Sequence, residues 1–163
     1  MPISLAPRAL SYETLTSILN LAVSDEQQAY VAPNAYTVAQ NTFEKGGWVR
    51  GLWDGETPVG LIAMIDPAIE SPSAEPDDPK DCAYLWRLMI DKNQQGKGYG
   101  KLAMDIAFEQ ARAWGYAKFL TSCVPGPHTP QPFYESVGLR PTGRLVDGEV
   151  ELAGKTPPAP KQA

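Results

Sequence analysis

Cysteine and histidine are nearly missing from this chain: Cys82, Cys123 and His128 are all there is among 163 residues. Two isolated thiols build neither a disulfide framework nor a paired-cysteine knuckle, and one imidazole does not complete a zinc site. Both thiols are therefore expected to be reduced and buried, with no metal bound. Long hydrophobic runs are missing as well. No stretch approaches the roughly eighteen apolar residues of a membrane span, so a soluble protein with no membrane partner is expected. The opening MPISLAPRALSYE has no basic segment followed by an apolar one, which leaves it without an export signal and makes the cytoplasm the expected compartment. Positive charge is in deficit, with 14 Lys and Arg against 19 Asp and Glu and a net charge of −5. Nucleic-acid binding rests largely on cations that neutralise phosphates, so none is expected, and a cationic small molecule is the better match.

What is present is enough for one core and hardly two, so residues 1–153 are read as a single domain and residues 154–163, GKTPPAPKQA with the alanine before the glycine closing the domain, as a flexible tail. ISLAP alternates as a short strand does. Ser11 is placed to cap a helix that carries Leu15, Ile18 and Leu19 on one face. A second helical stretch is interrupted by Pro33, resumes near Ala35 and stops at Gly46 and Gly47. WVRGLWD and PVGLIAMID alternate around Asp54-Gly55, which predicts an antiparallel hairpin. PAIESPSAEPDDPKD, with four prolines and several acids, reads as an exposed loop. A strand from Cys82 to Asp91, a glycine turn and a helix from Gly100 to Trp114 follow, the helix presenting Ala103, Ile106, Ala107, Gln110 and Trp114, with Leu102 beside them. AKFLTSCV is a further strand, PQPFYESVG a short helix, and LRPTGRLVDGEVELA a terminal strand pair around Asp147-Gly148. The order predicts a mixed α/β sheet rather than a doubly wound one.

The turn QQGKGYG is the most informative segment. A helix N-terminus has N–H groups without intrahelical partners and the positive end of the macrodipole, so it attracts anions. Glycines just upstream allow backbone angles that aim several N–H groups at one point and remove Cβ atoms that hold a phosphate away. Gln95, Gly96, Lys97, Gly98, Tyr99 and Gly100 are candidates for such a nest, with Lys97 and Lys101 adding charge at its rim. A P-loop requires Ser or Thr after Gly-Lys, and Leu102 follows Lys101. The dinucleotide fingerprint fails on spacing, since the glycines stand at 96, 98 and 100.

Gln95-Gly96-Lys97-Gly98-Tyr99-Gly100 after an apolar strand resembles the coenzyme A signature of the GNAT superfamily of N-acetyltransferases. YLWRLMIDKNQQGKGYGK, the later VPG and FYESVGL, PTG and GEVEL, and the early DEQQAYVAPNAYTVAQ resemble its polyamine and diamine branch, the spermine/spermidine type. The resemblance implies a central, mostly antiparallel mixed sheet whose fourth and fifth strands splay in a V, flanked by about four helices, with acetyl-coenzyme A as co-substrate. It implies that main-chain groups of Leu88, Met89 and Ile90 pair with the pantetheine arm while residues 95 to 101 hold the pyrophosphate. It also implies direct attack by an amine, an oxyanion held by the N–H of Ile90 or a neighbour, and Tyr134 of FYESVGL as the acid that protonates the leaving thiolate. The residue reading alone also allows Tyr134 to be a tyrosine that packs its ring on the sheet. Where the superfamily commonly has a pantetheine-contacting asparagine, this chain has Pro127, with His128 or Thr129 as candidate substitutes. Members often form homodimers.

The acceptor end is open to more than one reading. Asp25, Glu26 and Gln28 either pair with an ammonium of the acceptor or are solvated; Glu26 ranks first as the base. Tyr30 and Tyr36 either give a cation an aromatic face or pack in the core. Glu149 and Glu151 share a face that is solvent or acceptor mouth. Arg87 is expected to point away from Trp86 and to pair with an acid. A polyamine or diamine leads; a protein amino terminus, an amino acid, an aminoglycoside, or a catalytically silent coenzyme A sensor are the alternatives.

Overall fold

The computed structural model describes residues 2–161. Seven strands form one sheet: β1 (Ala6–Ala9), β2 (Gly47–Asp54), β3 (Thr57–Ile65), β4 (Cys82–Ile90), β5 (Lys118–Cys123), β6 (Arg140–Val146) and β7 (Glu149–Lys155). Four α-helices accompany them: α1 (Tyr12–Leu19), α2 (Asn34–Asn41), α3 (Tyr99–Ala113) and α4 (Gln131–Ser136). The strand order is β1-β2-β3-β4-β5-β7-β6. Every pairing is antiparallel except β4–β5, so the expected mixed sheet is present. Among the described residues, no helix is long and apolar enough to cross a membrane.

Local chemistry accounts for the elements. Ser11 caps α1 by accepting from the N–H of Thr14 at 3.3 Å, and Ile18 on the inner face of that helix is fully buried. Gly55, at φ +57, turns the β2–β3 hairpin, and Asp147 and Gly148, both at positive φ, turn β6 into β7. Gly115, at φ +86, ends α3. The first strand lies slightly later than ISLAP indicated, because the pairing with β2 begins at Ala6, opposite Trp53.

The sheet divides the core in two. On one face, α3 and α4 cover Leu52, Ile62, Leu85 and Phe119 with Ala103, Met104, Ala107, Phe108 and Tyr134. On the other face, Ile18 packs with Val49, Trp53, Leu61 and Met89. The buried stripe of α3 is centred on Met104, Phe108 and Ala111, whereas Gln110 is only half-buried. Its rotation from the expected stripe follows from Phe108, whose ring meets Phe119 edge-on at 4.8 Å.

Two expectations need correction. The segment from residue 154 onward is not free at its start: Gly154 and Lys155 complete β7 opposite Phe119 and Lys118, Thr156 donates to the Ala117 carbonyl, and Arg112 reaches the Pro157 carbonyl at 2.8 Å. The edge of β5 needed a partner, and the chain supplies one past the expected boundary. The proline-rich loop at residues 66–81 lacks helix and strand and is mostly exposed, as expected, and Ser71 and Ser73 fasten it by donating to Glu44 at 2.6 and 2.8 Å. Trp86 and Arg87 lie on the same side of the sheet. Ala63 faces Arg87 and Met64 faces Leu85, so Trp86 is an extra residue that shifts the alternation of β4 by one.

Phe119→Ala is expected to destabilise the protein by about 3–5 kcal/mol, read from urea unfolding, because it empties a fully buried site where both helices of that face meet the sheet.

Candidate functional site

The parallel ladder between β4 and β5 stops early. It runs from Cys82 opposite Lys118 to Leu85 opposite Thr121, and β4 then continues to Ile90 without β5 beside it. At the last rung, Thr121 Oγ1 donates to the Leu85 carbonyl at 3.0 Å, and the Trp86 bulge redirects β4 immediately beyond. The two strands therefore splay, and one edge of β4 is left open from Trp86 to Ile90, the stretch that contains Leu88, Met89 and Ile90.

Beyond β4, buried Asp91 fixes the entry to the turn. Its carboxylate accepts from the N–H groups of Ala22 at 2.9 Å and Asn93 at 3.1 Å, and its own N–H donates to Val59 at 2.8 Å. Gln95 folds back on the strand, with Nε2 donating to the Ile90 carbonyl at 2.9 Å and to Gln27 at the same distance. Its side chain is an anchor, and only its main chain faces outward. Tyr99 likewise turns its phenol away, donating to Asp54 at 2.6 Å, and that bond holds the Asp54 carboxyl below its ordinary pKa. Lys97 Nζ donates to Gln94 at 3.0 Å, and Lys97 is not part of the cleft lining, whereas Lys101 is.

The three glycines have separate causes. Gly96 and Gly98 stand at φ +76 and +98, where other residues are strained. Gly100 has no such angle; a Cβ there would meet the Phe133 ring at 3.2 Å, so this glycine lets α3 and α4 approach. The product is a set of open amides: between Gln95 and Lys101, the Lys97 N–H closes the turn before α3, while the other main-chain N–H groups have no main-chain acceptor among the described residues. Open donors at the positive end of a fifteen-residue helix form a site for an anion.

A cleft of about 1470 Å³ joins this turn to the gap between β4 and β5 and continues to the far side of the sheet. Tyr134, on α4, is buried at its wall beside Cys123. Burial pushes the Tyr134 phenol well above its ordinary pKa, with the Cys123 thiol adding to the effect and the Thr121 hydroxyl opposing it, so the group stays protonated. Thr129 bonds the Cys123 thiol at 3.6 Å and receives the Gln131 N–H at 3.3 Å, which ties it to the start of α4. His128 stands at the rim, with its main-chain N–H on the Tyr30 hydroxyl and Nδ1 3.9 Å from Glu26. Both cysteines are free and buried, as expected.

The early acidic segment divides. Gln28 and Tyr30 line the cleft; Asp25 and Glu26 do not. Asp25 accepts from Gln28 at 3.2 Å, and Glu26 is exposed beside His128. Sequence reasoning ranked Glu26 above the carboxylates that do line the cleft, of which Glu149 lies against Ser122. Glu149 is half-buried there, accepts from Ser122 Oγ at 3.4 Å, and Ser122 lies 3.1 Å from the Tyr84 hydroxyl. Burial raises the Glu149 carboxyl above its ordinary pKa, against the opposing pull of Ser122 and Arg87. The alternation of β7 had marked Glu149 as a candidate; the pairing of β7 with β5 was needed to bring it to Ser122.

Arg87 has no carboxylate within ion-pair distance among the described residues, contrary to expectation. Its guanidinium donates to the Thr37 hydroxyl at 3.0 Å and lies over the Trp86 ring at 4.5 Å and the Tyr36 ring at 5.6 Å. The bulge explains the difference, since it turns Arg87 toward α2 and the cleft rather than toward the opposite face.

A splayed pair of strands followed by a cradle of open amides defines an acyl-coenzyme A transferase architecture. The chain belongs to the acetyltransferase (GNAT) family, whose sequence model matches residues 15–139. No curated protein matches it significantly. Among solved structures, the GNAT domain of S. lividans PAT superposes with a TM-score of 0.70 at 18% identity, covering 93% of this chain and 89% of that one. Spermidine N-acetyltransferase from Vibrio cholerae, in complex with CoA and spermine, gives 0.66 at 17% identity, covering 93% and 95%. The ribosomal-protein-S18-alanine N-acetyltransferase from Escherichia coli gives 0.64 at 14% identity, covering 98% and 99%. These likenesses concern the fold; the acceptors named for them differ from one another.

Gly98→Ala is expected to cost about 1–2 kcal/mol of stability by forcing a side chain into the left-handed region, and to weaken coenzyme A binding in calorimetric titration. Unchanged affinity in the folded variant counts against the turn as the anion cradle.

Proposed function

We propose that this protein transfers an acetyl group from acetyl-coenzyme A to the primary amine of a small molecule, by direct attack. The observation that carries the reading is the cluster of open N–H groups at the glycine turn that begins α3, at the end of a strand that has lost its neighbour. These amides suit a pyrophosphate, and Lys101 adds charge beside them. The open main chain of Leu88, Met89 and Ile90 suits the amide groups of a pantetheine arm, which would lead the thioester toward the gap between β4 and β5. The ladder turns Met89 toward β3 and leaves Leu88 and Ile90 facing the open edge; the Gln95 anchor already occupies the Ile90 carbonyl, so the Leu88 and Ile90 N–H groups are the ones suited to steady an oxyanion.

Two side chains take the proton-transfer roles. Tyr134, kept protonated at neutral pH by burial, is the acid for the departing thiolate, although its raised pKa makes it a weaker donor than a free phenol. Glu149, through Ser122 or a water, takes the proton of the ammonium; its raised pKa makes it a stronger base than an ordinary carboxylate. Glu26 is too exposed and too far outside the cleft lining to be preferred. Gln28 and Tyr30 remain at the acceptor entrance.

A polyamine acceptor is the finer reading that the sequence resemblance suggests, and acids around the cleft mouth support it. Those acids are not all available, however. Arg144 binds Asp77 at 3.1 Å, Asp78 at 2.9 Å and Glu151 at 3.0 Å, which offsets one of these three negative charges and ties up all three side chains.

Thiol release from acetyl-coenzyme A in the presence of a panel of primary amines tests the reaction, and binding without release with any amine would leave a coenzyme A sensor as the better account. Tyr134→Phe is expected to lower kcat about 10²-fold with little change in coenzyme A affinity. The pH profile supplies a separate check. A base with a raised pKa works only in its ionised form, so kcat/KM should fall as pH drops toward a value above the ordinary carboxylate pKa of about 4.3. Glu149→Gln should reduce kcat/KM and abolish that acidic limb; an unchanged limb assigns the base elsewhere.

A further inference from the structure

Acids outnumber bases along the acceptor side of the cleft, yet two half-buried groups of opposite sign there, Arg87 and Glu149, make no ion pair among the described residues. Arg87 is a half-buried guanidinium with no carboxylate within ion-pair distance among the described residues, held by Thr37 and by the faces of Trp86 and Tyr36. Glu149 is a half-buried carboxylate whose contact is the Ser122 hydroxyl and which has no cation within ion-pair distance. The two influence each other electrostatically but do not meet. Both line the same cleft, and the Trp86 bulge together with the β5–β7 register brings them to the same side of the sheet. A cation kept partly out of water without a counter-charge is unfavourable unless a ligand supplies one. Its planar fork, fixed by a hydroxyl and two aromatic rings, is suited to a carboxylate bound in two places.

Resting on the proposed acetyl transfer, we propose that the acceptor is a zwitterion, a free amino acid whose carboxylate pairs with Arg87 while its amine is oriented beside Glu149. Glu70 and Glu75 stand exposed on the loop at the outer rim and do not offset Arg87. A chain with cationic groups at both ends would set an ammonium against the guanidinium, a repulsion that a carboxylate replaces with attraction.

Matched acceptors isolate the carboxylate: alanine against ethylamine, and lysine against cadaverine, each assayed with saturating acetyl-coenzyme A. The expected result is that kcat/KM favours the carboxylate-bearing member of at least one pair by about tenfold or more, as one charge-assisted contact provides. In Arg87→Gln that ratio should collapse toward one through a rise in KM for the amino acid, and Arg87→Lys should restore part of it. A preference for cadaverine and ethylamine, or a ratio that is the same in Arg87→Gln as in the parent, overturns the assignment. Calorimetric titration of alanine and lysine into the coenzyme A complex gives a readout independent of turnover. Binding that is present in the parent and lost in Arg87→Gln upholds the carboxylate site even if no amine is acetylated, in which case the transferase reading alone fails. Absence of both binding and discrimination removes the zwitterion proposal and leaves the transfer to other amines intact.

Discussion

The structure turns on a ladder that is cut short. Four rungs hold β4 against β5, Thr121 takes the carbonyl of Leu85 at the last of them, and an extra residue at Trp86 bends the strand away. A central strand with one edge unpaired is ordinarily a liability, because buried amides without partners cost about 1–3 kcal/mol each. Here the unpaired edge lies along a cleft, where solvent or a ligand can satisfy it. The remainder of the sheet compensates by wide antiparallel pairing, and β7 closes the other edge of β5 along its full length. Opening one gap inside a seven-stranded sheet gives the molecule a passage from one layer of helices to the other.

That same interruption sets the direction of everything after β4. The strand ends in Asp91 and Gln95, whose side chains take up the polar groups of the strand end and of the segment after α1, and so hold the turn from behind. With its rear face bonded, the turn presents its N–H groups forward. Two glycines supply the backbone angles and the third supplies clearance for Phe133, so three alternate glycines answer two separate steric demands. A negative ligand is favoured there by the dipole of α3 and by open donors together, and neither requires a change in the protein when the ligand arrives.

On the opposite side of the gap, chemistry is decided by which charges cancel. Arg144 gathers three carboxylates and in doing so joins the terminal hairpin to the proline-rich loop. Glu149 escapes that cluster and lies against Ser122 and Tyr84, where partial burial makes it more basic. Arg87 escapes neutralisation altogether. A site in which a half-buried cation stands among carboxylates selects by charge placement as well as by shape.

Much of this was legible in the residues. The order of elements, the two Asp-Gly turns, the cap at Ser11, the glycine turn at residues 95 to 100 and the helix that bears Tyr134 all depend on local periodicity and turn chemistry, which neighbouring residues dictate by themselves. The acceptor side was not legible, because it is assembled from β4, β5, β7 and a loop far apart in the chain. Strand alternation indicated that Arg87 opposes Trp86, and a bulge against β3 reverses that; the resemblance pointed to Glu26 in the segment beside the acceptor, and the β5–β7 register brings Glu149 to the cleft. Local stereochemistry thus determined which elements form and where the glycine turn opens its amides, while long-range pairing decided which charges face one another, since a one-residue shift in register carries a side chain to the other face of a sheet.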